Sequence, residues 1–444
     1  MSGIVFFKSK DLRMIRDFYQ DKLGLKLWLD QGKCMIFEHR GMLIGFCQSE
    51  VAESQGTITF LYDSIALVDA AYLRYQDLAT SPAKLNPAFN IYHFWAEDPE
   101  GRTLEFQYFL KAGEQNPGQD VIEVLNEDPA KPKLLLTRLL PEKAMNELKD
   151  FFEVHANIAH RNLSKTELIA HIADKAALLC LLGDDIDESL MNAAAKLKVI
   201  SNYAVGYNNI DLQAAKARGI AVCNTPGVLT ESTADLAWAL IMATARRIPE
   251  SESFTREGNF VGWEPLLFLG QDVHQRTLGI LGMGRIGQAV ARRARGFDMK
   301  VIYHSPHDKE LDFAAERVDF ETLLLESDIL SLHLPLKPET KHLIGEKELK
   351  TMKRSAILIN TARGAIVDER VLIRALQEGW IFAAGFDVYE HEPEIPQALK
   401  ELPNAVLLPH IGSASLETRE QMGSLAARNA IAIVQGTEAP ARVV

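Results

Sequence analysis

One short stretch of chain limits the fold more than any other. Thr277-Leu278-Gly279-Ile280-Leu281 reads as an apolar strand, Gly282-Met283-Gly284-Arg285-Ile286-Gly287 as a turn, and Ile286 to Arg295 as the opening of a helix. A GxGxxG string alone arises by chance in glycine-rich chains and then marks only a tight bend. Between a strand and a helix its glycines take separate tasks. Gly282 permits the tight turn, Gly284 lets the backbone approach a pyrophosphate, and Gly287 lets helix pack on strand. The first helical N–H groups, those of Arg285 and Ile286 included, lack intrahelical partners and lie at the positive end of the helix dipole. The segment therefore predicts a parallel α/β sheet with a dinucleotide on this turn.

The rest of the chain is read outward from that unit. Its 444 residues suggest about three domains. From Lys133 onward, apolar strands at Leu134–Leu136, Ala177–Leu182, Val199–Ser201 and Ala221–Cys223 alternate with helical spacers. This order predicts a flavodoxin-like parallel sheet covered on both faces. A long helix is expected at Ala234–Ile248, then a Rossmann unit to about Leu408, then a last helix at Glu417–Gln435 that packs back on the earlier sheet. Residues 132–232 and 416–444 would form one discontinuous substrate domain, and 233–415 the nucleotide domain.

Residues 1–110 pass twice through the order strand, helix, several strands, which predicts an α+β domain of paired βαβββ modules. Asp11 caps the first helix, with Leu12, Ile15, Phe18 and Tyr19 on one face. Residues 111–131, with Gly113, Asn116-Pro117-Gly118 and Asp128-Pro129, read as a linker.

A net charge of −12 without a basic run argues against nucleic acid as a partner. Cys34, Cys47, Cys180 and Cys223 show no CxxC spacing, so buried thiols in a reducing compartment are expected over disulfides or a metal site. The N-terminal apolar run is too short for a signal peptide, and Ala234–Ala245 is too short for a membrane span. A soluble, cytoplasmic protein is expected.

The strand after the glycine turn, Lys300 to Tyr303, ends in His304-Ser305-Pro306-His307. An acidic residue at such an end accepts the ribose 2′-OH of NAD and repels the 2′-phosphate of NADP. Here the first acid is Asp308, beyond the proline. His304 and Ser305 thus favour NADP(H), with NAD(H) the alternative; no arginine stands in the strand-end sequence to strengthen the preference.

Reduction of a 2-oxo acid needs a cation for the carboxylate and ketone, and an acid with a tuned pKa for the new alkoxide. Candidates follow three apolar strands: Asn360-Thr361-Ala362-Arg363-Gly364, Gly385 through Pro393, and Pro409-His410-Ile411-Gly412-Ser413. With Ser201 through Asp211, Asn224 through Thr230 and Gly262-Trp263-Glu264-Pro265, these segments resemble the D-2-hydroxyacid dehydrogenase family, most nearly its glyoxylate and hydroxypyruvate reductases, over about residues 133–444.

The resemblance implies roles. Arg363 holds the carboxylate and polarises the carbonyl, His410 exchanges the proton, and Glu392 pairs with His410, fixing its tautomer and raising its pKa. Val205 and Gly206 offer backbone N–H groups to the carboxylate. Thr361, Ala362 and Asp387 line the nicotinamide end, and a homodimer forms through the nucleotide domain. Tyr203, Trp263 and Phe268 would set substrate size. The plainer readings make Arg363 a surface arginine after a strand and Glu392 a solvated carboxylate beside Glu390 and Glu394, with His391 the alternative histidine. His155, His160 and His171 read as structural or exposed. A dinucleotide-sensing binding protein and a phosphite-type dehydrogenase share the same motifs.

The first domain resembles the glyoxalase and bleomycin-resistance (vicinal oxygen chelate) family. Asp11-Leu12, Phe18-Tyr19 and Leu23-Gly24-Leu25 carry the likeness in one module, Asp98 through Phe106 in the other. That family binds a divalent metal through ligands early and late in each module. Here the early positions hold Ile4 and Thr57, and only Glu105 suits a late one, with Gln48 or Glu50 in the first module. No catalytic metal is expected. His39 and His93 read as structural, and the domain as a metal-free binding or assembly module, against the alternative of a metal lyase or dioxygenase.

Overall fold

The computed structural model describes residues 4–39, 41–86, 89–110, 121–159 and 161–444, which fall into two units, Met1–Val121 and Ile122–Val444. His160 and linker residues 111–120 lie outside the described residues.

In the first unit each module folds into a four-stranded sheet. Its first strand pairs in parallel with its last, Ile4–Ser9 on Met42–Gln48 and Thr57–Leu61 on Thr103–Phe109. The intervening strands are antiparallel. Asp11 accepts from the N–H groups of Arg13 and Met14, so the first helix starts where its capping residue stands. Leu12, Ile15, Phe18 and Tyr19 are all buried.

The register corrects the expectation for cysteine. Cys34 and Cys47 lie directly opposite each other on antiparallel strands and form a disulfide. The spacing concealed the pairing because register, rather than sequence distance, brings the two sulfurs together. Cys180 and Cys223 are buried thiols, and burial pushes the Cys223 thiol up to about 11.

The second unit holds two sheets. One runs Ala221–Cys223, Val199–Asn202, Ala177–Cys180, Lys133–Leu136, Glu153–Asn157 and Ile122–Val124. All its strands are parallel except the last, an antiparallel edge. Both faces are covered, which explains why Leu134-Leu135-Leu136 and Ala177-Leu178-Leu179 are wholly buried rather than alternating. The edge strand corrects the linker boundary: residues 122–131 belong to this unit. The side-chain amide of Asn126 bonds to Lys149 O and Phe152 O, and Asp128 N donates to Glu153. Three residues with Glu123 at their centre carry no readable strand period.

The other sheet is seven-stranded and wholly parallel, in the order Glu316–Arg317, Lys300–His304, Thr277–Leu281, Ile329–Leu332, Ile357–Asn360, Ala383–Phe386, Ala405–Leu407. Its first strands follow the 3-2-1-4 order of doubly wound nucleotide folds, so the strand order reverses beside Thr277–Leu281 and opens a crevice at the strand ends. The connecting helix runs Thr230–Ala245, not to Ile248. Arg247 adopts a left-handed conformation (φ 52°), and a second helix, Ile248–Arg256, begins there with no buried residue. The last helix, Leu416–Gln435, packs against Glu142–Phe151 and the strands Ala177–Cys180 and Val199–Asn202. Ser201 Oγ reaches Ala426 O at 2.9 Å, and the chain end returns through Val443 N to Val222 O at 2.7 Å. Among the described residues no helix is long and apolar enough to cross a membrane.

Candidate active site

The glycine turn has the geometry that its residues suggest. Gly282 sits at φ +101°, and a side chain there would lie 2.6 Å from His333 O. A Cβ on Gly287 would lie 2.2 Å from Gly282 O, so only glycine lets the helix Arg285–Arg293 approach the strand. Gly284 differs: a Cβ there meets nothing within 4 Å, leaving open space over the first N–H groups of that helix. Gly282 N donates to His304 O at 3.0 Å and so fastens the turn to the end of the next strand.

His304 and Ser305 occupy that end. His304 Nδ1 contacts Val318 O at 3.0 Å, and its ring lies beside Phe320. Asp308 accepts from the Tyr303 hydroxyl at 2.8 Å. An arginine absent from the strand-end sequence arrives from the neighbouring strand. Arg317 donates to Ser305 O (3.2 and 3.1 Å) and Pro306 O (3.0 Å).

Arg363 follows the strand Ile357–Asn360. Buried Asn360 shapes its loop, accepting from Ala362 N at 3.0 Å and donating to Arg363 O at 2.9 Å. The half-buried guanidinium lies against Gly206 so closely that a Cβ there would be 1.7 Å from Nη2. Burial lowers the Arg363 pKa from its ordinary value while the Glu392 carboxylate raises it; a guanidinium stays charged regardless. The 205–206 loop is held by its carbonyls: Asn224 donates to Val205 O (2.8 Å) and Asn202 to Gly206 O (2.7 Å). Among the described residues the Val205 and Gly206 N–H groups make no hydrogen bond.

Glu392 and His410 come together from different strand ends. His410 Nδ1 and Glu392 Oε2 are 2.7 Å apart, and each side chain keeps about a third of its surface exposed (33% and 34%). Burial works to raise the Glu392 pKa, but the His410 bond and charge, the Tyr389 N–H and Arg363 outweigh it and hold the carboxyl below its ordinary value. Its loop is anchored twice, by Tyr389 N to Glu392 Oε1 (2.9 Å) and by Glu390 N to buried Glu369 (2.6 Å). Gly364 is what allows the Arg363 and Glu392 loops to touch, since a Cβ there would meet Tyr389 C at 1.9 Å. His391 is exposed and forms a backbone bridge to Glu394.

Asp387 is 1% exposed, and both carboxylate oxygens accept backbone N–H groups, Ile411 and Gly412, each at 2.7 Å. Burial raises its pKa. Thr361 Oγ1 is buried and unpaired at the head of the Arg363 loop. Of the proposed size-setting residues, Tyr203 is buried with its hydroxyl on Arg419 O (2.7 Å), and Phe268 packs edge-on against Phe254. Trp263 stands 84% exposed. Sequence reasoning assigned no role to Asn202, Asn224, Asn360 or Glu369; the signal available was a polar residue at or next to the end of a buried strand or helix.

In the first unit His93 Nδ1 lies 2.6 Å from Glu105 Oε1, and Thr59 Oγ1 donates to Glu105 Oε2 at 3.1 Å. Among the described residues no three His, Cys, Asp or Glu side chains gather in a way that could hold a metal.

Comparison with known proteins bears on the second unit. The profile of the D-isomer specific 2-hydroxyacid dehydrogenase NAD-binding domain matches residues 238–412. Glyoxylate reductase of Thermococcus litoralis is 52% identical over 317 residues, 70% of this chain and 96% of that protein. The solved glyoxylate reductase of Paecilomyes thermophila aligns at TM-score 0.64 with 35% identity, covering 71% of this chain and 99% of that one. The NADPH-dependent glyoxylate/hydroxypyruvate reductase of Sinorhizobium meliloti, solved with NADP and malonate, aligns at TM-score 0.64 with 32% identity, covering 71% and 97%.

Proposed function

The chain belongs to the D-isomer specific 2-hydroxyacid dehydrogenase family, and from that premise we propose that it reduces a short 2-oxo acid, glyoxylate or hydroxypyruvate, with NAD(P)H. The convergence of Arg363 on Gly206 with the His410–Glu392 pair, on facing strand ends of one unit, carries this reading.

The division of labour follows from the contacts. Arg363 takes the substrate carboxylate, assisted by the free N–H groups of Val205 and Gly206, and draws electron density from the ketone oxygen. Glu392 holds His410 through Nδ1, which leaves Nε2 to give its proton to the oxygen of the forming alcohol. The dinucleotide, when bound, supplies the hydride. Gly282, Gly284, Arg285, Ile286 and Gly287 would hold its pyrophosphate in the open space over Gly284. The unpaired Thr361 hydroxyl, with Ala362 and Asp387, would line its nicotinamide end. The absence of an acid at His304-Ser305 favours NADP(H) over NAD(H).

The same reading extends to assembly. Phe260, Val261, Trp263, Leu266 and Leu269 are exposed in one segment of the nucleotide domain, which supports a homodimer through that domain. The paired βαβββ modules of residues 4–110 support a metal-free domain of the vicinal oxygen chelate type, since both oxygens of Glu105 are already engaged by His93 and Thr59.

The test is a panel of small 2-oxo acids with NADH and NADPH, read by cofactor absorbance. Turnover of glyoxylate or hydroxypyruvate, lost about 10²- to 10⁴-fold in His410→Asn, is expected. Normal dinucleotide binding without turnover of any oxo acid would leave a dinucleotide-sensing protein instead.

A further inference from the structure

The end of the strand Lys300–His304 carries a cation that its own sequence does not contain. The two-residue strand Glu316–Arg317 pairs in parallel with Ile302 and Tyr303, and Val318 N closes the register on Tyr303 O at 2.9 Å. The Arg317 side chain then crosses the strand end. Its Nε and Nη2 donate to the carbonyls of Ser305 and Pro306, while Nη1 makes no bond among the described residues. Among the described residues no carboxylate pairs with it either; Asp308 accepts from the Tyr303 hydroxyl. The strand end is fastened to the glycine turn through Gly282 N and His304 O, so it flanks the place where this fold sets the adenosine ribose.

We propose that Arg317 selects the dinucleotide, acting as the clamp for a 2′-phosphate on the adenosine ribose. This rests on the NADP(H) reading above and names the residue responsible. A dianionic phosphomonoester needs a cation with spare donors, and a guanidinium suits its oxygens. Two carbonyls already fix the Arg317 side chain, so little of its rotamer freedom remains to be lost on binding. A ribose bearing a 2′-hydroxyl gains less from a cation here, because it brings no charge to pair and the carboxylate that would accept its hydrogen bond is missing.

The experiment is calorimetric binding of 2′,5′-ADP and 5′-AMP, fragments that differ by the 2′-phosphate, to wild type, Arg317→Ala and Arg317→Lys. Wild type is expected to bind 2′,5′-ADP at least about tenfold more tightly, with Arg317→Ala losing most of that ratio and Arg317→Lys part of it. In steady state, the KM for NADPH relative to NADH should rise about 10- to 100-fold in Arg317→Ala. Retained 5′-AMP binding shows that the site is folded, and Arg317→Gln serves if the alanine variant loses it. A wild-type preference for the 2′-phosphate that survives both substitutions overturns the role of Arg317 and leaves the NADP(H) reading standing. A wild type with no preference overturns both.

Discussion

Replacing Gly206 with alanine tests the assembled site at its tightest point. The added methyl group would lie 1.7 Å from Arg363 Nη2 and 2.8 Å from Cζ. The guanidinium must therefore retreat by about 1.5–2 Å, and misplacement of a positioning group by 1 Å costs on the order of 100-fold in rate. Folding should tolerate the change. The atom displaced is the far end of a flexible side chain, and Gly206 does not have positive φ. Alanine restricts the unfolded chain, which by itself stabilises by about 0.4–1 kcal/mol. Catalysis should not tolerate it. The expected result is a kcat/KM for glyoxylate reduced by about 100-fold or more, equivalent to about 2.7 kcal/mol of transition-state stabilisation. Thermal stability and the Kd for NADPH should stay near wild type. Steady-state kinetics, differential scanning fluorimetry and fluorescence titration of NADPH make the three readings. A variant whose kcat/KM lies within threefold of wild type would refute the reasoning, because Arg363 could not then work from its position against Gly206.

Three further substitutions have expected outcomes. Glu392→Gln should lower kcat and kcat/KM together, by about 10- to 100-fold, since the pairing acts on the proton-transfer step rather than on uniform binding. Glu392 has a folded pKa below its ordinary value, so its stabilising contribution is present above the unfolded carboxylate pKa and is lost as pH falls through the lower folded one. The Tm difference between wild type and Glu392→Gln should accordingly close below about pH 4, followed by scanning calorimetry across pH. Gly364→Ala drives a methyl group to 1.9 Å from the backbone of Tyr389, which has no flexible end to move. It should lower stability by about 1–3 kcal/mol and activity with it, measured by denaturant unfolding and turnover. Cys34→Ser removes a cross-link with 13 residues of sequence separation. It should destabilise the first unit by up to about 3 kcal/mol, and a reducing agent should reproduce the shift in wild type but not in the variant.

What could be read from sequence was local. The run Thr277 to Gly287 combines an apolar strand, three spaced glycines and a helix start within eleven consecutive positions, so every constraint on it is contiguous. The segments holding Arg363, Glu392 and His410 could be located because each follows an apolar strand, and parallel strands deliver their carboxyl ends to one edge. The resemblance to the dehydrogenase family is what singled out the three side chains within them. What could not be read depended on register. Arg317 reaches Ser305 through a strand of two residues, too short for any period. Cys34 and Cys47 needed the strand alignment of a hairpin to become partners. The strand Glu153–Asn157 escaped because it is largely polar: buried Glu153 is satisfied by His155 and Asp128 N, and buried Asn157 donates to Thr137 O. Polar residues look like loop until their partners are known, and those partners are tertiary.

The strand end that carries His410 shows what such buried partners can impose on a neighbouring side chain. His410 has φ 55°, a left-handed conformation that costs a residue with a Cβ about 1 kcal/mol. Nothing in Pro409-His410-Ile411 requires it. Asp387 does, by accepting the N–H groups of Ile411 and Gly412 at 2.7 Å and so forcing the chain to turn immediately after His410. The turn is close-fitting there, since a Cβ on residue 412 would lie 3.2 Å from the carboxylate and the Asp387 side chain would have to give by a few tenths of an ångström. Burying Asp387 is itself unfavourable and raises its pKa. Two unfavourable features, a strained histidine and a buried acid, are thus coupled, and their joint product is an imidazole whose Nδ1 meets Glu392 at 2.7 Å. Neither would persist for packing alone, since apolar residues in an unstrained turn would fold as well. On the proposed mechanism the strain at His410 therefore belongs to the proton-transfer apparatus, with Asp387 as the positioning residue that maintains it.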